Sequence, residues 1–251
     1  MGVLSESDVI HFRRDYYDLL VRMLAEEPDA DMLSALRQGI DDRAVGAAQV
    51  HAAMGEGWRV IAGELERRTA EDFTDEFTRL FLGPYANVLS PYECRYLTER
   101  LYTAPLSDVR AFLSRHGLER TGAHHGEPED ALAFELSVMA RLIERQQAGG
   151  DADPDSFLAA QREFLERHLM VWAPAFAADL VAHAEAVFYR GVGLVLQGFL
   201  EVERDFFVED GGLHPESLEA AQRRHRAPIY RGPVFDAEAA AEGKGPRRKD
   251  D

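Results

Sequence analysis

This sequence predicts an all-α fold, and three observations carry that reading. Apolar residues recur every three or four positions along most of the chain. No segment sustains the alternation of a half-buried strand. Prolines, glycines and Ser, Thr or Asp caps punctuate the pattern at helix-length intervals. With 251 residues, 46% of them hydrophobic, the chain is long enough for one sizeable core. The expected architecture is a single-domain helical bundle of about nine or more helices over residues 1–208. A polar, mobile tail is expected over 209–251, with a helical turn around Ser217–Arg224.

Ser5 and Asp8 have the spacing of a capping box, and Val9, Phe12, Tyr16, Leu19, Leu20 and Met23 follow as an apolar stripe. Pro28 ends that helix. Asp31 to Gln38 reads as a short second helix stopped by Gly39. Residues 42–68 read as one alanine-rich helix with Val45, Val50, Met54, Trp58, Ile61 and Leu65 on a stripe, weakened and bent or broken at Gly55 and Gly57. Thr69 and Asp72 form another cap before Phe73, Phe77, Leu80 and Phe81, and Gly83-Pro84 ends that segment. Short helices are expected over Glu93–Leu101 and from Leu106 to Gly117, with a polar linker at 118–127. Pro128 is expected as the first residue of a helix carrying Leu132, Leu136, Met139 and Ile143. Pro154 opens the next helix, with Phe164, Leu165, His168, Leu169 and Trp172. Pro174 is expected to start a long helix to about Phe207, in which Gly191, Gly193 and Gly198 mark a close approach or a kink.

Composition excludes several classes. The net charge of −17 argues against general nucleic-acid binding. Residues 209–251 hold 9 acidic and 8 basic residues, so nearly all of that charge belongs to the bundle. Such a body suits a basic partner and equally a solvated surface. Cys94 is the only cysteine, which rules out an intramolecular disulfide and a multi-cysteine metal site. No apolar run reaches the length of a membrane span, and no basic-then-apolar leader opens the chain, so a cytoplasmic location without membrane insertion is expected.

Motifs for catalysis are missing. There is no phosphate loop, no dinucleotide fingerprint, no nucleophile elbow and no HExxH. No catalytic residue, metal or cofactor is expected. His124-His125 read as solvated loop residues, His168 as a hydrogen-bonded core histidine and Cys94 as a packed, unreactive thiol.

What remains is a binding surface. Tyr85, Tyr92 and Tyr96 lie within twelve residues, with Pro91 among them and Leu80 and Phe81 just before. Aromatic rings with polar tips, set beside prolines, line peptide-binding surfaces well, and they also close cores at loops. The acidic triplet Glu127, Glu129 and Asp130 either complements a helix start or meets an arginine-rich partner.

Taken together, Leu80-Phe81-Leu82-Gly83-Pro84, Pro91-Tyr92-Glu93, Tyr96-Leu97 and Glu127-Pro128-Glu129-Asp130 resemble a known family pattern. It is that of the chaperones that mature molybdenum-containing redox enzymes, the TorD/DmsD/NarJ type. The later Phe164-Leu165, His168-Leu169, Trp172, Pro174 and Phe188-Tyr189 extend the resemblance over roughly residues 10–207. The resemblance implies a non-enzymatic, cytoplasmic chaperone for the catalytic subunit of a molybdopterin-dependent oxidoreductase. It would bind that subunit's twin-arginine leader or its apo body, assist cofactor insertion and delay export. Carried onto this chain, the implied peptide-binding residues are Leu80, Phe81, Tyr85, Pro91, Tyr92, Tyr96, Pro128 and Asp130, with Asp130 facing a basic leader residue. The sequence departs from the family at Ala131, where a histidine is usual, and in carrying tyrosines where some members have tryptophans. Monomer and domain-swapped dimer both stay open, with 118–127 as a hinge. A helical scaffold and a nucleotide-binding bundle are the alternative readings.

Overall fold

Two glycines set the closest helix crossing. Gly57 and Gly191 face each other so tightly that a Cβ on Gly57 would stand 2.5 Å from the Gly191 carbonyl oxygen. In this computed structural model, which describes residues 5–82, 89–120, 127–149, 154–208 and 211–226, the two helices concerned are α4 (Ala52–Arg67) and α11 (Phe188–Phe206). Side chains at that crossing would hold the axes apart. Without them the backbones meet, and Trp58, Ile61, Val192, Val195 and Phe199 close the core on either side.

The remaining helices are α1 (Glu6–Ala25), α2 (Ala30–Arg37), α3 (Ile40–Val50), α5 (Ala70–Phe77), α6 (Glu93–Thr98), α7 (Ala104–Arg115), α8 (Leu132–Ala148), α9 (Pro154–Phe164), α10 (Met170–Ala182) and α12 (Leu218–Arg226). Two π-helical turns, Thr78–Leu82 and Leu165–Leu169, extend α5 and join α9 to α10. The expected capping boxes form at Ser5/Asp8 and Thr69/Asp72. Among the described residues there is no strand, only one isolated β-bridge, and no helix long and apolar enough to cross a membrane.

Three sequence expectations are corrected. The 42–68 helix breaks at His51, not at its glycines; His51 is extended and accepts the Ala53 N–H on its ring. Gly55 and Gly57 are contact points inside α4, against Ala48 and Gly191. The 174–207 helix is two helices, because α10 ends at Ala182 and α11 begins at Phe188, while Pro174 lies inside α10. Glu76 explains the new start. Its buried carboxylate accepts the N–H groups of Val187, Phe188 and Tyr189 at 2.8, 3.3 and 2.9 Å, the donors that a helix start leaves without partners. Pro128 does not open a helix; α8 begins at Leu132 with Ala131 as its cap. The helix expected around Ser217–Arg224 forms as α12, which lies against α6 and α10 with Ala221 fully buried. The rest of the expected tail, 227–251, lies outside the described residues.

α1 is tied to the far end of α11 by a buried ion pair. Arg13 donates to both Glu203 carboxylate oxygens, at 2.6 and 2.8 Å, and Tyr17 donates to the same carboxylate at 2.8 Å. The bidentate geometry offsets the desolvation of both charges.

Candidate functional site

The two motif stretches are joined by backbone. Glu93 N–H donates to the Asp130 carbonyl at 2.8 Å and Leu132 N–H donates to the Pro91 carbonyl at 2.8 Å, an antiparallel bridge pairing Tyr92 with Ala131. Pro91 suits this pairing because only its carbonyl is used. The Asp130 side chain turns inward and accepts the Cys94 N–H at 3.0 Å, satisfying one of the free donors at the start of α6. Leu89 N–H donates to the Leu80 carbonyl at 2.9 Å, so the segment entering the bridge is held to the end of the π turn.

Above the bridge lies an apolar groove of about 60 Å³. Phe77, Phe81 and Leu82 form one wall, Leu24 and Ala25 at the end of α1 a second, and Ala131 to Phe134 at the start of α8 a third. Pro91 and Tyr92 complete the lining. At its mouth the Tyr92 hydroxyl donates to Glu127 at 2.8 Å. Partial burial, with this carboxylate alongside, pushes the Tyr92 phenol well above its ordinary value, so it stays a neutral donor. Glu127 is exposed, and Tyr92 is its hydrogen-bond partner among the described residues. The adjacent Glu129 is instead engaged within the chain, 2.8 Å from Arg110 and 3.6 Å from Arg120.

Of the residues expected to bind a peptide, Phe81, Pro91 and Tyr92 come together here. Leu80 is fully buried in the core, and Pro128 is buried under the turn that precedes α8. Asp130 is 1% exposed and engaged with Cys94, so the expectation that it faces a basic peptide residue does not match its placement. Tyr96 is on another surface: its hydroxyl donates to Asp179 at 2.8 Å and its ring packs on Trp172 at 5.4 Å. Tyr85 and the His124-His125 pair lie outside the described residues. Leu24, Ala25, Leu82 and Phe134 were missed. Leu82 and Phe134 carried a signal, since both are large apolar residues off the core stripes, and Leu82 is 59% exposed. Nothing local in α1 marks Leu24 as a groove wall.

Behind the bridge sits a buried polar cluster. His168, expected as a core histidine, is buried with Nδ1 3.2 Å from Glu93. Glu135 accepts the Trp172 indole N–H at 3.0 Å. Burial, then the neighbouring charge of Glu93, raises the Glu135 carboxyl well above the usual range, so it is held neutral. Cys94 is buried and its thiol is pushed up by burial and by Asp130, in keeping with an unreactive packing role. Among the described residues no group of three or more His, Cys, Asp or Glu is arranged to hold a metal ion.

A family model described as nitrate reductase delta subunit matches residues 47–178, more than half of the chain. A chaperone protein TorD from Aliivibrio salmonicida is 32% identical over 148 residues, covering 56% of this chain and 68% of that protein. A TorD chaperone from Vibrio cholerae serotype O1 is 36% identical over 137 residues, covering 54% of this chain and 60% of that protein, so the chain spans less than two thirds of the latter's length. The crystal structure of a proposed redox enzyme maturation protein from Archaeoglobus fulgidus has a TM-score of 0.48 and 20% identity, covering 80% of this chain and 98% of that one. The residues matched by the family model contain both halves of the Tyr92–Ala131 bridge, and by that match and the likeness to the Aliivibrio salmonicida TorD chaperone the chain belongs to the nitrate reductase delta subunit family.

Proposed function

We propose that this protein is a non-enzymatic assembly chaperone for the catalytic subunit of a molybdopterin-dependent oxidoreductase. It acts in the cytoplasm, holding the subunit's twin-arginine leader, or a like segment of its apo body, until the cofactor is in place. The observation that carries the reading is the pairing of an apolar groove with one exposed carboxylate at its mouth, Glu127 beside Tyr92. A leader offers the complementary chemistry, arginines followed by an apolar stretch. An arginine would donate a charge-assisted hydrogen bond to Glu127, and apolar side chains would enter between Phe81, Leu24 and Phe134. The C-terminal end of α1 lies at the same groove, and its partial negative charge favours the same cation. The bundle's acidity would speed the encounter. Relatives that bear the name of chaperone support the class of function.

Calorimetry against the twin-arginine leader of a molybdopterin oxidoreductase from the same organism tests it. Saturable binding that weakens with salt is expected. Binding of neither that leader nor the apo subunit would overturn the proposal.

A further inference from the structure

A polar cleft of about 410 Å³, separate from the Tyr92 groove, opens between α7, the Leu165–Leu169 turn and α12, with His168 and Glu93 among its lining. A second opening of about 320 Å³ lies beside Tyr96, Glu99 and Asp179. One helix borders both: α12 contributes Arg224 and His225 to the first and Gln222 to the second. Beneath it are α6 and α10.

The hold of α12 on this surface is slight and chemically specific. Ala221 is its one fully buried side chain, which lets its backbone approach α6 closely. Gln222 donates its amide to the Tyr96 carbonyl at 2.8 Å, and Tyr96 is in the last turn of α6, where carbonyls lack partners within the helix. Arg226 pairs with Glu99 at the end of α6. The helix finishes in four consecutive basic residues, of which Arg223 and Arg224 lie 3.9 and 3.0 Å from Glu219 and Glu216 of their own segment, while the surface around them carries Glu93, Glu99, Asp108, Glu166 and Asp179. Of the surface's own cations, Arg115 and Arg167 lie 2.5 and 3.7 Å from Glu163, and Arg95 donates to the Glu99 carbonyl. A helix this short is marginal in water, and the ion pair that anchors its end is exposed. Residues 218–226 also lie outside the family match at 47–178.

We propose that the trough formed by α6, α7 and α10 is an interaction surface for a basic helix of a partner protein, one with a small residue at its point of closest approach. In this proposal α12 is the resident occupant, and a partner helix binds by displacing it. The inference does not depend on what enters the Tyr92 groove.

The test uses the full chain and a labelled synthetic peptide of residues 214–226, followed by fluorescence anisotropy. The Arg223→Glu, Arg224→Glu, Arg226→Glu variant, whose own α12 is loosened, is expected to bind the peptide about tenfold more tightly than the unaltered chain. A peptide with leucine at position 221 is expected not to bind. If the charge-reversed chain does not fold, an Ala221→Leu chain, whose α12 can no longer approach α6 closely, supplies the comparison and is likewise expected to bind the peptide more tightly than the unaltered chain. Equal binding by loosened and unaltered chains would overturn the proposal whether or not a leader binds the groove.

Discussion

Tyr92 and Ala131 pair as an antiparallel bridge between two segments whose nearest ends in the chain are more than thirty residues apart. The pairing determines which motif side chains face outward. Tyr92 reaches Glu127 at the surface, while the flanking Glu93 and Asp130 point into the protein. The acidic triplet thus divides three ways: Glu127 can meet a partner, Glu129 pairs with Arg110 and Arg120, and Asp130 holds α6.

Asp130 and Glu127 are expected to respond oppositely to mutation. Asp130→Ala removes the acceptor for a buried N–H and should cost roughly 1–2 kcal/mol of stability, read by urea unfolding. Asp130→Asn keeps an oxygen there and should cost less. Neither should alter the salt dependence of leader binding. Glu127→Gln should leave stability within about 0.5 kcal/mol and flatten that salt dependence. A flattened salt slope in Asp130→Asn would show that Asp130 itself meets the leader.

Glu135 predicts a pH-dependent gain. Its carboxyl is raised in the folded state, so the unfolded chain loses that proton first as pH rises. Stability from this group is full below about pH 4 and falls above it. Glu135→Gln keeps an acceptor for Trp172 and removes the titration. The variant should melt a few degrees higher than the unaltered chain at pH 7.5, roughly 2–4 °C per kcal/mol gained. The difference should shrink toward pH 4, and an equal difference at both pH values would contradict the raised carboxyl.

Alkali should act through the tyrosines. Tyr92 and Tyr96 are raised first by burial and then by their hydrogen bonds to Glu127 and Asp179. Both groups therefore support the fold fully below about pH 10, the ordinary phenol value, and lose that support as pH rises beyond it. Tyr96→Phe should reduce the loss of stability between pH 9 and 11 in thermal melts. Phenolate absorbance should appear more slowly with pH in the folded chain than in urea.

Glycines in α4 should behave differently according to what each faces. A Cβ on Gly57 meets the Gly191 oxygen at 2.5 Å, and Gly57→Ala should destabilise by about 1–3 kcal/mol or more as α4 and α11 separate. A Cβ on Gly63 meets only the end of Arg67 at 3.4 Å, and Gly63→Ala should be neutral or stabilise by up to about 1 kcal/mol through helix propensity. Chemical denaturation of the two variants side by side measures the contrast.

The all-α class, most helix positions and the capping boxes at Ser5 and Thr69 are legible along the chain, because hydrophobic period and caps act over a few neighbouring residues. The sequence also placed His168 and Cys94 in the interior and singled out both halves of the bridge. Which motif residues share a surface follows from packing between distant segments. Asp130 is inside because α6 needs an acceptor at its start, and the start of α11 is supplied by Glu76, more than a hundred residues earlier. Tyr96 leaves the groove of Tyr92 because α6 turns it toward Trp172 and Asp179. Leu24 enters that groove from a helix whose own pattern shows nothing but a core stripe. Such pairings depend on where distant backbone donors and carboxylates meet after packing, and spacing along one segment carries no record of that.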